Sequence, residues 1–376
     1  MNNSQEMSSG ACLWQRLRLK ELDWHALSSC RDFLYGFAIL YIMLFHSMRI
    51  LRDNGELSSS LGLLARRLLG FGNIGVEVFL CLSGISLYFA MQKKPTLRQF
   101  YSRRMQRVIL PYLLVAIPWN LWRVFATEPF SGLSIWKRLG TAFINLFGMD
   151  LALTGYNTFW YVYAIILCYI AYPFLYRLFL KFNWSFVPPL LLTMACFGFN
   201  ALVSKMFPVF YSRMEILLQR FPIFVLGSYL GKFVYEKRPV KVNPWLLFWG
   251  MGILFFAVIR SCEVAQAHHI VFLNLRVEYF LATLPLLYLL TGAALLLHDT
   301  LLYKALTFLA PITLELYLTH AKFYKIMGEL PGLRDHLWIV HAIALPIAIL
   351  FALALLRFEK WLLKRLNEAS SSAEPS

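Results

Sequence analysis

Charge is scarce in this sequence, and acidic charge scarcest. Of 376 residues, 15% are Asp, Glu, Lys or Arg, and Asp plus Glu number 20. A soluble globular chain carries about a quarter charged residues, so a soluble fold is excluded. No CxxC pair occurs among the six cysteines, Cys12, Cys30, Cys81, Cys168, Cys196 and Cys262, and four sit in or beside apolar runs. That argues against a disulfide framework or a zinc site and for small packed residues. No internal repeat is visible, which weighs against a two-fold transporter architecture. The start shows no cleavable signal pattern, and no soluble domain is expected after the last apolar run.

What the chain has is apolar length. It is 59% hydrophobic, with runs recurring from Phe33 almost to the C-terminus. Each run is far longer than a barrel strand, so the expected fold is an all-α polytopic membrane protein. Ten spans are read, at 33–51, 70–91, 106–125, 158–180, 184–203, 216–235, 244–261, 277–297, 304–323 and 337–358. Ile135–Gly148 is too short to cross comfortably and carries Lys137 and Arg138, so it reads as an interfacial or re-entrant helix. The net charge of +16 raises nucleic acid as a partner. The basic residues, however, cluster between apolar runs, as loops facing an anionic leaflet do. With ten spans and both termini cytoplasmic, Lys93–Arg107, Lys232–Lys241 and Arg357–Arg365 all fall inside. An eleventh span would move Lys232, Lys237, Arg238 and Lys241 outside, against the positive-inside rule. The domain reading is a cytoplasmic tail at 1–30, a membrane unit at 31–361 and a short tail at 362–376, disordered in composition from Asn367. Trp14 and Trp24 could lay the first tail on the membrane surface.

Ionisable groups inside spans are costly and mark candidate sites. His46 lies near the far end of the first span. At helical spacing Tyr35 shares its face, with Asp32 near the same stripe. In the second span Asn73, Glu77 and Gly84 form a stripe. Opposite chain directions bring His46 and Glu77 to similar depth. A carboxylate beside an imidazole makes a candidate general base; a structural ion pair between adjacent helices is the competing reading. Arg103, Arg104 and Arg107 follow at the entrance to the third span. Arginine grips phosphate through a bidentate fork, so a phosphorylated cytosolic ligand is one reading and a topogenic basic loop the other. Trp160, Tyr161 and Tyr163 begin a span and read first as an aromatic belt. Thr313, Tyr317, His320 and Tyr324 share a face, with Glu315 beside them. Arg213 with Glu215, and Arg276 with Glu278, are read as local pairs. His268, His269, His298 and His341 are read as surface or loop.

The motifs, taken in order, resemble a known family. They are an apolar helix ending in FH, then GVEVFLCLSG, an RR pair before a Pro-bearing helix, FWYVY followed by YP, and LELYLTH. Together they look like the acyltransferase family 3 membrane enzymes, bacterial proteins that O-acylate carbohydrates, over Arg31 to about Phe358. The resemblance implies acyl-CoA, usually acetyl-CoA, as a cytoplasmic donor substrate with no permanently bound cofactor. It implies a glycan or glycolipid hydroxyl as acceptor, and residence in the bacterial inner membrane among lipids. The family's essential histidine falls on His46, its acidic position on Glu77, and its arginine pair on Arg103 and Arg104, with Arg107 adjacent. Tyr35, Trp160, Tyr161, Tyr317 and His320 are candidate substrate contacts. One departure stands out: the family commonly has arginine where this chain has Tyr35, and the nearest one here is Arg31. The rival expectation is a transporter or flippase for a lipid-linked sugar.

Overall fold

The computed structural model describes residues 22–53, 69–126, 130, 132–267, 277–328, 330 and 337–372. Among these the chain is all helix. In order the helices are α1 (Trp24–Ser29), α2 (Arg31–Asp53), α3 (Gly75–Met91, led in by a 3-10 turn), α4 (Leu97–Ala126), α5 (Ile135–Leu146), α6 (Met149–Thr154), α7 (Trp160–Lys181) and α8 (Val187–Met206). They continue as α9 (Pro208–Leu218), α10 (Phe221–Tyr235), α11 (Pro244–Ala267), α12 (Val277–Leu297), α13 (Leu301–Leu309), α14 (Thr313–Gly328) and α15 (Leu337–Ser372).

Nine helical stretches among the described residues are long and apolar enough to cross a bilayer. The sequence led us to expect ten. The difference is 216–235, where the helix breaks at Gln219 and Arg220 between α9 and α10. The remaining fifteen residues of α10 extend only about 22 Å at 1.5 Å per residue, short of the roughly 30 Å of hydrocarbon. A turn in such surroundings persists only where protein or a cavity satisfies it, and both turn residues are buried.

α10 is nonetheless the centre of the bundle, buried along most of its length. It packs closest on α3, because glycines let the two backbones touch. A Cβ on Gly227 would sit 2.2 Å from the Cys81 carbonyl oxygen, and one on Gly84 would sit 2.5 Å from the Ser228 nitrogen. Outward-facing apolar side chains, among them Leu246, Ile253, Phe256 and Leu350, are exposed, as a lipid-facing surface requires.

Within Ile135–Gly148 the helix α5 takes up Ile135–Leu146, twelve residues with Ile135, Trp136, Leu139 and Phe143 exposed, the amphipathic pattern of an interfacial helix. Two left-handed turns at Gly148 and Gly155 bound α6. Asn157 pins the segment by donating to Asp150 Oδ1 and to the Asn145 carbonyl. Two expectations about the ends change. Trp24 packs against Phe233, with ring centroids 6.3 Å apart, because α1 buries Ala26 and Leu27 in the bundle. The last tail is helical over its described residues, α15 continuing to Ser372. Trp14, Cys12, His268, His269 and Arg276 lie outside the described residues, as does the side chain of Cys262.

Candidate active site

A cavity of about 870 Å³ opens between α2, α3, α4, α7 and α14. Helical spacing explains its walls. Arg31, Tyr35 and Ile42 recur on one face of α2, and Phe100, Arg103, Arg104 and Arg107 on one face of α4. The opposite face of α2 is closed: a Cβ on Gly36 would meet the Leu306 carbonyl at 1.8 Å. At the mouth five cationic side chains, Arg31, Lys93, Arg103, Arg104 and Arg107, line the cavity against one carboxylate, Asp32. That acid is held by Arg31 at 3.2 Å. The excess of guanidinium groups is what a multiply charged anion requires. Deeper in, the wall turns aromatic. Tyr35 meets Phe79 with ring centroids 5.5 Å apart, and Tyr161 and Tyr169 face the same space.

On α2 the lining ends at Ile42. His46 lies one turn beyond, about 6 Å along the axis. Its ring is 5.3 Å from the His320 ring, centroid to centroid. Tyr317, which lines the cavity, is one turn before His320. The Tyr317 hydroxyl donates to the Thr158 carbonyl and accepts from the Tyr161 N–H, each at 3.1 Å. His320 Nδ1 lies 2.8 Å from the Leu316 carbonyl. A carbonyl can only accept, so the proton is on Nδ1 and the lone pair on Nε2. That Nε2 is buried and makes no hydrogen bond among the described residues.

Glu77 does not turn to His46. Its Oε1 is 3.5 Å from Arg220 Nε, with both side chains almost wholly buried. Arg220 also donates to the Ile216 carbonyl at 2.8 Å and to Asn73 Oδ1 at 3.0 Å. Its guanidinium lies 4.4 Å above the Trp160 ring. The reason is rotational. Glu77 shares its face with Gly84, and Gly84 is where α3 touches α10. The polar stripe Asn73–Glu77–Gly84 therefore faces the α9–α10 break, while Val76, Phe79 and Ser83 face the cavity.

The predicted residues thus separate into three places. Arg103, Arg104, Arg107, Tyr35, Tyr161 and Tyr317 line one cavity. His46 and His320 meet just beyond its end, and Glu77 with Trp160 surrounds Arg220. Sequence reasoning missed Arg220, although an arginine inside an assigned span is itself a signal. It missed Lys322 too, which is 5% exposed. The Lys322 Nζ rests 3.7 Å from the Phe159 ring centroid and makes no hydrogen bond among the described residues. His341, read as surface, is buried against Tyr324 at 4.6 Å.

The cation-lined mouth thus leads toward the half-buried imidazole of His46. The family model of the acyltransferase domain Acyl_transf_3 matches residues 31–357. The chain belongs to that acyltransferase family. Neither the curated proteins nor the solved structures include a match to it. Membership makes this a membrane acyltransferase, with an acyl donor and an acceptor as its substrates and lipid around its spans.

Proposed function

We propose that this acyltransferase moves an acyl group, acetyl by preference, from cytosolic acyl-CoA to a hydroxyl of a cell-surface or exported glycan in the bacterial inner membrane. Both termini and the arginine mouth face the cytoplasm in this reading. The observation that carries it is a continuous cavity running from that mouth to within one turn of His46. Arg31 and His46 are fifteen residues apart on one helix, about 22 Å in depth. That depth suits a donor whose phosphates stay at the surface while its thioester enters the membrane.

Arg103 and Arg104, with Arg107, hold the phosphates through charge-assisted bonds. Arg31 sits on the same rim and supplies the cation that the Tyr35 position lacks. The pantetheine arm lies along the aromatic wall of Tyr35, Tyr161 and Tyr169. His46 takes the acceptor's hydroxyl proton as the oxygen adds to the thioester carbonyl carbon. The tetrahedral adduct collapses, the C–S bond breaks, and the imidazolium returns the proton to the departing thiolate. Ester and CoA are the products. An imidazole acting as base needs its second nitrogen held. In this reading the open Nε2 of His320, on a ring 5.3 Å from that of His46, accepts the second N–H of His46, the part first assigned to Glu77. Glu77 instead holds Arg220, whose guanidinium lies over Trp160.

The test uses purified protein, radiolabelled acetyl-CoA and extracted glycan. His46→Ala should lower label transfer by about 10²–10⁴-fold, the usual weight of a general base, while CoA binding is kept. Undiminished transfer by His46→Ala would refute the mechanism. Wild-type protein that never labels glycan would refute the glycan acceptor or the acetyl donor.

A further inference from the structure

A second cavity, about 350 Å³, lies behind the first. Two helices form the partition. α7 turns Tyr161, Ile165 and Tyr169 to the first cavity and Ala164, Leu167 and Cys168 to the second. α3 turns Phe79 to one and Leu80 to the other. Its place in the bundle follows from the helix directions. Ala164 is near the start of α7, Asn200 near the end of α8, and Phe221 begins α10. All three belong to the half of the bundle away from the arginine mouth. At the rim, Leu167 is 50% and Phe199 55% exposed on the lipid-facing surface, so the cavity opens sideways into the bilayer.

Its lining is apolar except at two places. Arg220 is already met by Glu77 and Asn73. Asn200 is different. It is 1% exposed, and among the described residues neither its amide nitrogen nor its carbonyl oxygen has a hydrogen-bond partner. A buried carboxamide left in that state is costly, so the site is built for something that both donates and accepts. Glycerolipid esters only accept and would leave the Asn200 oxygen unmet. A sugar hydroxyl next to an alkyl anchor does both.

We propose that this side cavity seats the hydrocarbon chain of a lipid-anchored glycan acceptor, with Asn200 hydrogen-bonded to the polar group at the root of the chain. The name "acceptor" rests on the acyl-transfer reading above; the chain site itself does not. Across the partition, the Trp160–Arg220 layer separates the anchor from the cavity in which the thioester would arrive.

The test uses the full-length protein in lipid nanodiscs, with a dodecyl glucoside bearing a photoactivatable diazirine in its chain as probe. Label should map to α7 and α8 and be displaced by unlabelled dodecyl glucoside but not by phosphatidylglycerol. Ala195→Trp, which fills the rim, should abolish it. Asn200→Leu should weaken it about tenfold, the loss of one hydrogen-bonded contact. Both variants should bind acetyl-CoA normally, which also shows that they fold. Label spread evenly over the lipid-facing helices, or equally well displaced by phosphatidylglycerol, would overturn the proposal, as would label indifferent to Ala195→Trp. Intact chain binding with no acyl transfer from acetyl-CoA would instead count against the acyltransfer reading and leave the chain site standing.

Discussion

The pairing of Glu77 with Arg220 predicts a rescue. Both side chains are nearly sealed from solvent, at 4% and 1%. Arg220→Met would strand the Glu77 carboxylate in the bundle with no counter-charge, and breaking a buried pair in this way costs about 3–5 kcal/mol. It also removes the cation over Trp160, worth about 2 kcal/mol when desolvated, a loss that discharging Glu77 does not recover. Adding Glu77→Gln discharges the stranded group. The double variant should therefore be more stable than Arg220→Met alone, by about 2–3 kcal/mol, although it carries one more substitution. Glu77→Gln alone should cost less than Arg220→Met, since Arg220 keeps Asn73, the Ile216 carbonyl and Trp160. Thermal unfolding of the four proteins in one detergent gives the order of midpoints. A double variant at or below Arg220→Met would mean that the two losses add and that the pair is not coupled. The pH dependence of transfer offers a second check. If Glu77 oriented the base, Glu77→Gln would move that profile; paired with Arg220, it should leave the profile in place and lower only its height.

Two further outcomes follow from the mouth and from the buried cation. Arg104→Ala should weaken CoA binding about tenfold at low ionic strength, and calorimetry in added salt should show the gap to wild type narrowing, because screening weakens the contact it removes. Lys322→Met should leave the thermal midpoint of the unliganded protein unchanged or higher, since replacing a buried ammonium that has no acceptor among the described residues relieves desolvation; a loss above about 1 kcal/mol would show that the Phe159 contact outweighs it.

The spans and the cavity-facing stripes were legible because both follow from periodicity within one helix. Tyr35 and Asp32 were placed on one stripe by spacing, and Arg103, Arg104 and Arg107 together at the entrance to the third span; all five line the cavity, whose lining stops short of His46. Glu77 was placed on the right stripe, but the partner of that stripe was misread. Helical periodicity says which residues share a side, not which neighbour that side meets. The neighbour was set by Gly84, Gly227 and Gly231, whose missing side chains draw α3 onto α10. Arg220 escaped notice because a cation four residues into an assigned span looks like one reaching for the headgroups. Only the break at Gln219 and Arg220, which strands the Ile216 carbonyl for Arg220 to cap, makes its burial intelligible. His341 was passed over for the opposite reason: nothing along the chain marks a lone imidazole as packed against Tyr324.

The shortness of α10 bears on how the protein sits in its host. α3, at its centre, has 72% of its spanning residues buried in the protein, whereas α11, at the edge, has none fully buried across its span. When a bilayer thins or thickens, helices in contact with lipid tilt or shift to follow it. The α3–α10 post, locked backbone to backbone, has little lipid to follow. Deformation should therefore be spent at the periphery while the partition between the two chambers keeps its dimensions, and turnover measured in short- and long-chain bilayers should vary little. A steep dependence on chain length would mean that the post is not insulated.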